Sequence, residues 1–303
     1  MELKQLSCFL VTARWQHITR AAGAIGISQP ALSRMIAQLE REVGTPLFDR
    51  KDRGICLNAA GECLRQHAER VFAELEDARR ALRDLSDDDH GEIRLAVLVA
   101  SALLPDLLGG FRSRHPNTAF QLVQHGPGSA SDVAADVVIT SMPVSIAGYR
   151  NTAVLTEEIL LAVPRDHPLA GRESIRLEDA ADGDFISLSP KRQLREMTDA
   201  MCRMAGFAPR IVFESDDPAT VRGLIRAGQG IAFMPACTWG RQAGDAMVRL
   251  HIQSPRCERT IYLAHDASRY PSHAVRAFSR YAAEHIASFG EKKPTGDAQD
   301  PPA

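Results

Sequence analysis

Residues Thr19–Glu40 read TRAAGAIGISQPALSRMIAQLE. The stretch divides at Gly26, because glycine takes a positive φ without steric cost. Ahead of it, Ala21 and Ala22 are small enough to let two helices cross closely. Behind it, Ser28 is a good N-cap, and Pro30 stands in a first turn where a missing N–H costs little. The helix that follows is expected to run to about Val43. Leu32, Met35 or Ile36, and Leu39 would face inward; Gln29, Ser33, Arg34, Ala37 and Gln38 would face outward. A helix presented in this way fits the ~12 Å major groove of DNA. Gln pairs bidentately with adenine and Arg with guanine. The start of such a helix reads bases, which places Gln29, Pro30, Ser33 and Arg34 at the interface. The same pattern also fits a plain three-helix bundle with a polar surface.

The flanks extend this reading. Leu3, Leu6, Phe9, Leu10 and Ala13 recur at helical spacing. Leu47 to Leu57 reads as strand–turn–strand, with charged residues from Asp49 to Arg53 and Gly54 at its tip. Asn58 can cap the next helix. That helix carries Leu64, Ala68, Val71, Leu75, Ala78, Leu82 and Leu85, in steps alternating four and three. A heptad seam of this kind implies a partner helix. From 59 to 85 the helix would be about 40 Å long at 1.5 Å per residue.

The chain has 303 residues and a formal net charge of −2, so total charge does not single out nucleic acid. Residues 1–70 hold ten Lys/Arg against seven Asp/Glu. That bias suits a DNA-binding end joined to a more acidic domain. Cys8, Cys56, Cys63, Cys202, Cys237 and Cys257 form no C-x-x-C pair and no metal spacing with histidine. They read as scattered thiols of a reducing compartment. The N-terminus lacks a cationic stretch followed by an apolar core, and no run approaches a membrane span. A cytoplasmic location with no membrane partner is expected.

Ser86 to Gly91 is a polar break. Beyond it, short apolar runs stand at Ile93–Ala100, Phe120–Val123, Val137–Ile139, Ile159–Val163, Phe185–Leu188, Ile211–Phe213, Gly230–Met234 and Ile261–Ala264. Helical stretches such as Met197–Ala205 and Ala219–Ala227 lie between them. The pattern predicts mainly parallel sheets covered on both faces, in one large α/β domain or two small ones. Ligands of open α/β sheets bind in loops that follow strands.

Several segments resemble the LysR-type transcriptional regulators. They are Met1–Leu10 (MELKQLSCFL), Thr19–Ala22 (TRAA), Ser28–Glu40 (SQPALSRMIAQLE), Gly44–Arg50 (GTPLFDR) and Asn58–Gly61 (NAAG). Phe213–Pro235 and Val163–Ala170 (VPRDHPLA) are similar to the family's effector domain. The resemblance implies an α/β protein with an N-terminal, all-α winged helix-turn-helix. A long linker helix and a C-terminal, periplasmic-binding-protein-like effector domain of two α/β subdomains would follow. It implies a DNA-binding domain over 1–58, a dimerising helix over 59–86 and an effector domain over 91–290. Subdomain I would span 91–161 and 267–290, subdomain II 162–266, and 291–303 would be a disordered tail. The chain would cross between subdomains near Leu161–Pro164 and Ala264–Ala267.

The seam then gains its partner, a second copy of the chain, in a homodimer or homotetramer on double-stranded promoter DNA. RNA polymerase is a further expected partner. Arg50 to Arg53 becomes the wing, with Arg53 in the narrow minor groove; taken alone, those charges read as a solvated turn. Thr19, Gln38 and Arg50 complete the expected DNA-facing set. No cofactor is expected, only a small-molecule effector in the cleft between subdomains. Matching loop positions are Ser101, at a helix start suited to an anion, Thr140 and Ser141, Ser189, and Phe233. Each alone reads as an ordinary loop or capping residue.

Two departures from the family pattern stand out. The 120–139 region is short, with His125-Gly126-Pro127-Gly128 in place of part of a helix. Arg14-Trp15-Gln16-His17 adds a basic, aromatic turn suited to a phosphate contact. An enzyme is a competing reading, but no G-x-G-x-x-G after a strand, P-loop, G-x-S-x-G or H-E-x-x-H occurs. A periplasmic solute-binding protein is opposed by the missing leader and by the DNA-binding half.

Overall fold

The computed structural model describes residues 1–51, 54–85, 91–124, 135–190, 192–239 and 247–291. The chain forms two compact units, Met1–Ser86 and Asp87–Ala303. Four expectations fall outside the described residues: Arg53 of the wing, the polar break at 86–90, the segment at 125–128 and the tail from 292 onward. Glu291 closes the last helix rather than opening a tail.

The first unit holds α1 (Leu3–Trp15), α2 (Ile18–Ile25), α3 (Gln29–Val43), β1 (Phe48–Lys51), β2 (Gly54–Leu57) and α4 (Ala59–Leu85). The turn between α2 and α3 forms as the sequence demands. Gly26 sits at φ 76°, and the Ser28 hydroxyl accepts the Ala31 N–H at 3.4 Å. Ala21 and Ala22 are buried where the helices cross. Leu32, Ile36 and Leu39 pack with Leu6, Phe9 and Leu47 into one core.

Asn58 ties the hairpin to α4. Its Oδ1 accepts the Gly61 N–H at 2.9 Å, and its Nδ2 donates to Pro46 O at 2.9 Å. Gly61 lies so close to the hairpin that a Cβ there would stand 2.1 Å from Leu47 O and 2.7 Å from Leu57 Cδ2. Backbone cannot yield as a flexible side chain can, so Gly61→Ala is expected to cost about 1–3 kcal/mol. Thermal unfolding of the variant checks this; an unchanged midpoint refutes the close approach.

The heptad seam divides in two. Leu64 and Ala68 pack on the core of their own unit. Val71, Leu75, Ala78, Leu82 and Leu85 stay exposed, with Leu82 at 67% and Leu85 at 82%. Only the distal part of the seam is therefore free for a partner.

The second unit contains β3 (Glu92–Val97), α5 (Leu104–Arg112), β4 (Ala119–Gln124), β5 (Val137–Thr140) and β6 (Tyr149–Pro164). Then come β7 (Ser174–Arg176), β8 (Asp184–Leu188), α6 (Gln193–Met204), β9 (Arg210–Ser215), α7 (Pro218–Arg226) and β10 (Ala232–Pro235). It ends with β11 (Met247–Ser254), β12 (Glu258–Asp266) and α8 (His273–Glu291). One continuous sheet runs β4-β3-β5-β12-β6-β11-β7, with β10 also on β6, and β8 pairs β9 separately. Two cores flank it. In the first, Phe111 meets Phe120 and Phe278 at 5.9 and 5.2 Å. The second gathers Phe185, Ile186, Val221, Ile225 and Leu250.

The expectation of mainly parallel sheets is corrected. β3 pairs β4 and β5 in parallel, as β8 pairs β9 and β7 pairs β11. The pairings of β12 with β5 and β6, and of β6 with β10 and β11, are antiparallel. The chain leaves subdomain I on β6 and returns on β12. These strands are neighbours running in opposite directions, so the join between subdomains must be antiparallel.

The expected crossings also move. β6 pairs β12 up to Glu158 and β10 from Ile159, so the outward crossing is at Glu157–Ile159 rather than Leu161–Pro164. Leu161 and Val163 already belong to the second core. The return lies at Cys257–Arg259 rather than Ala264–Ala267, since Ala264 pairs Val138 of β5. Among the described residues no helix is long and apolar enough to cross a membrane.

Candidate functional site

On the first unit, α3 buries one side and shows the other. Gln29, Pro30, Arg34 and Gln38 are exposed, Ser33 is half-buried, and Thr19 is exposed in the first turn of α2. These side chains bond along the surface. Gln29 Nε2 donates to Ser33 Oγ at 3.1 Å, Arg34 Nε to Pro30 O at 3.4 Å, and Gln38 Nε2 to Glu42 Oε1 at 3.3 Å. Such solvent-facing bonds are readily exchanged for base or phosphate partners. Glu42 is paired with the Met1 ammonium at 2.5 Å, whose hydrogen bond leads the causes holding its carboxyl below the ordinary range.

The Arg14–Gln16 turn is exposed, Trp15 included. Ile55 N–H donates to Gln16 O at 3.1 Å, fastening the hairpin to this turn. Arg50 lies on β1 opposite Ile55. Arg53 falls outside the described residues.

On the second unit, Val97–Ser101 and Gln124 face Leu188, Arg192–Leu194, Pro218, Trp239 and Arg259 across a cleft between the subdomains. The space left is about 40 Å³, room for a few waters. Ser101 lines the cleft, ahead of α5, where its short 3-10 turn begins. Thr140 ends β5, Ser141 follows it, and both are buried and bonded by the Gln193 side chain, which reaches them from the start of α6.

The other two expected positions do not line this cleft. The Ser189 hydroxyl donates to the Asp216 carboxylate. Phe233 packs on Phe185 at 5.8 Å in the second core. A strand-end position does not by itself fix what a side chain lines.

Gln193, Arg192 and Arg259 escape the sequence reading. Gln193 stands five residues beyond the end of β8, past the strand-end rule. Arg259 is matched with Glu157 only by folding. Its Nε donates to Glu157 Oε1 at 2.8 Å, the two side chains being 1% and 0% exposed. Glu157 also accepts Cys237 N–H at 2.8 Å, Thr238 N–H at 2.9 Å and the Thr238 hydroxyl at 2.6 Å. The pair sits at both crossings and locks them together.

Comparison with known proteins decides the family. The family described as "Bacterial regulatory helix-turn-helix protein, lysR family" matches residues 3–62, and "LysR substrate binding domain" matches residues 86–287. The chain belongs to the LysR family. This LysR-type protein is a DNA-binding transcriptional regulator with an effector-binding domain.

The HTH-type transcriptional regulator YybE of Bacillus subtilis strain 168 is 33% identical over 94% of this chain and 99% of its own. The dual regulator GltC of the same organism is 28% identical over 86% and 89%. The effector-binding domain of QuiR, solved in complex with shikimate, is 26% identical, with a TM-score of 0.56 over 66% of this chain and 98% of that one. Full-length CbnR, solved with its target DNA, shares the fold at 23% identity and a TM-score of 0.63, over 95% of this chain and 100% of that one.

Proposed function

We propose that this LysR-type regulator reads paired half-sites in promoter DNA as a homodimer or homotetramer, through the N-terminal face of α3. A small-molecule effector taken up between the subdomains controls it. The observation that carries this reading is α3 itself. Leu32, Ile36 and Leu39 are buried in the core, while Gln29, Pro30 and Arg34 face water with no packing role. A polar face on a firmly seated helix is what the major groove requires.

The regulator acts in the cytoplasm, needs no resident cofactor and is not an enzyme. Its closely matched relatives are transcriptional regulators. QuiR, whose effector-binding domain was solved with shikimate, supports a small-molecule effector for this domain.

The test starts from an operator selected out of a random DNA pool. Gln29→Ala and Arg34→Ala are each expected to cost about 1–3 kcal/mol of site-specific affinity, roughly 5- to 150-fold. Binding to unrelated DNA should change far less. Band-shift titration at fixed salt measures both. Unchanged operator affinity in both variants overturns the base-reading assignment.

A further inference from the structure

We infer that Gln193 is a built-in occupant of the effector site, a latch that an incoming carboxylate must displace. The inference rests on reading the cleft as the effector site. Ser141 N–H donates to Gln193 Oε1 at 2.9 Å, and Ser141 Oγ donates to the same oxygen at 2.8 Å. Gln193 Nε2 donates to Thr140 Oγ1 at 3.0 Å, and that hydroxyl passes its own proton to Met142 O at 2.9 Å. A backbone N–H can only donate, so the atom facing Ser141 must be the oxygen of the carboxamide.

Every polar atom of this side chain is thus engaged, by residues 52 and 53 positions away. Thr140 and Ser141 are 1% and 5% exposed. Breaking the clasp without replacing it would strand buried donors. The bonds span the cleft, since Thr140 ends β5 of subdomain I and Ser141 follows it, while Gln193 opens α6 of subdomain II. About 40 Å³ of space remains beside it, less than a small-molecule site usually offers.

What replaces Gln193 must offer an oxygen acceptor to the same N–H and O–H. A carboxylate does so more strongly than an amide, because charge-assisted bonds are the stronger ones. Its second oxygen can be met by Thr140 Oγ1, since a hydroxyl turns to donate or accept. Arg192, which donates to Asp216 O at 2.6 Å, lines the cleft with positive charge. The ligand class is therefore a small organic carboxylate. Binding exchanges an intramolecular clasp for a ligand-mediated one and frees α6 from β5, a differential contact between two states.

The experiment uses the whole chain. Gln193→Ala deletes a fragment equivalent to acetamide, so acetate and acetamide are the probes. NMR follows the Ser141 and Met142 amides during titration against chloride at constant ionic strength. The variant should show saturable acetate binding that moves the Ser141 amide, at least about ten-fold tighter than the wild-type chain, with acetamide weaker than acetate. Equal responses in both chains, or binding that leaves Ser141 unmoved, overturn the latch.

Gln193→Met guards against a folding defect, because it keeps the volume and removes the hydrogen bonds. Its Ser141 amide should exchange with solvent at least about ten-fold faster than in wild type; unchanged exchange again overturns the proposal. Failure of the cleft reading would look different: a metabolite that raises the unfolding temperature of wild type while Ser141 stays unmoved.

Discussion

Arg259→Met is expected to destabilise the effector unit by about 3–5 kcal/mol. The substitution removes the cation and leaves Glu157 as a fully buried carboxylate. Glu157 keeps three donors, from Cys237 and Thr238, but loses its counter-charge. Burial of an unpaired charge is among the few mechanisms with so large a cost. The double variant Glu157→Gln with Arg259→Met removes both charges and should recover a large part of the loss, because an uncharged pair has no comparable desolvation penalty. Each unit contains one of the chain's two tryptophans, Trp15 and Trp239. Urea unfolding followed by Trp239 fluorescence in a Trp15→Phe background therefore reports the effector unit alone. A single variant within about 1 kcal/mol of wild type would show that the pair contributes no more than a surface contact.

The second large effect belongs to α4. Leu75→Asp combined with Leu82→Asp places carboxylates in the distal seam. Leu75 and Leu82 are already 39% and 67% exposed, so the fold of the first unit should barely change. A dimer interface, by contrast, cannot hold unpaired carboxylates in its seam. Sedimentation should find monomers. Operator affinity should fall by about 10²–10⁴-fold, because two linked readers gain an effective concentration that one reader lacks. A double variant that stays dimeric and binds the operator as wild type does would remove this seam from the interface.

How much was legible in the sequence depends on the distance between partners along the chain. Ser28, Pro30 and Gly26 act within a few residues, and the helices they bound lie where their chemistry places them. The apolar runs of the second unit all contain strands, because runs this short favour a buried strand over a helix. Their direction was another matter. Periodicity carries no sign of parallel or antiparallel pairing, so the antiparallel join of β6 and β12 was missed. β7 and β11 were also missed: β7 has three residues, and β11 mixes Arg249, His251 and Gln253 among its apolar positions.

The stretch Thr19–Glu40 determined by itself two helices joined at Gly26, with Gln29, Ser33 and Arg34 on the outer face of the second and Leu32 on the inner one. Caps, turn and core positions all fall within one short segment, so local physics is sufficient. Only the tertiary structure decided what the cleft is. It brought Glu157 to Arg259 across 102 residues and Gln193 to Ser141 across 52. It also left Ser189 and Phe233 out of the cleft lining. No local pattern records such meetings, because a buried charge or a clasped amide is defined by what folding places opposite it.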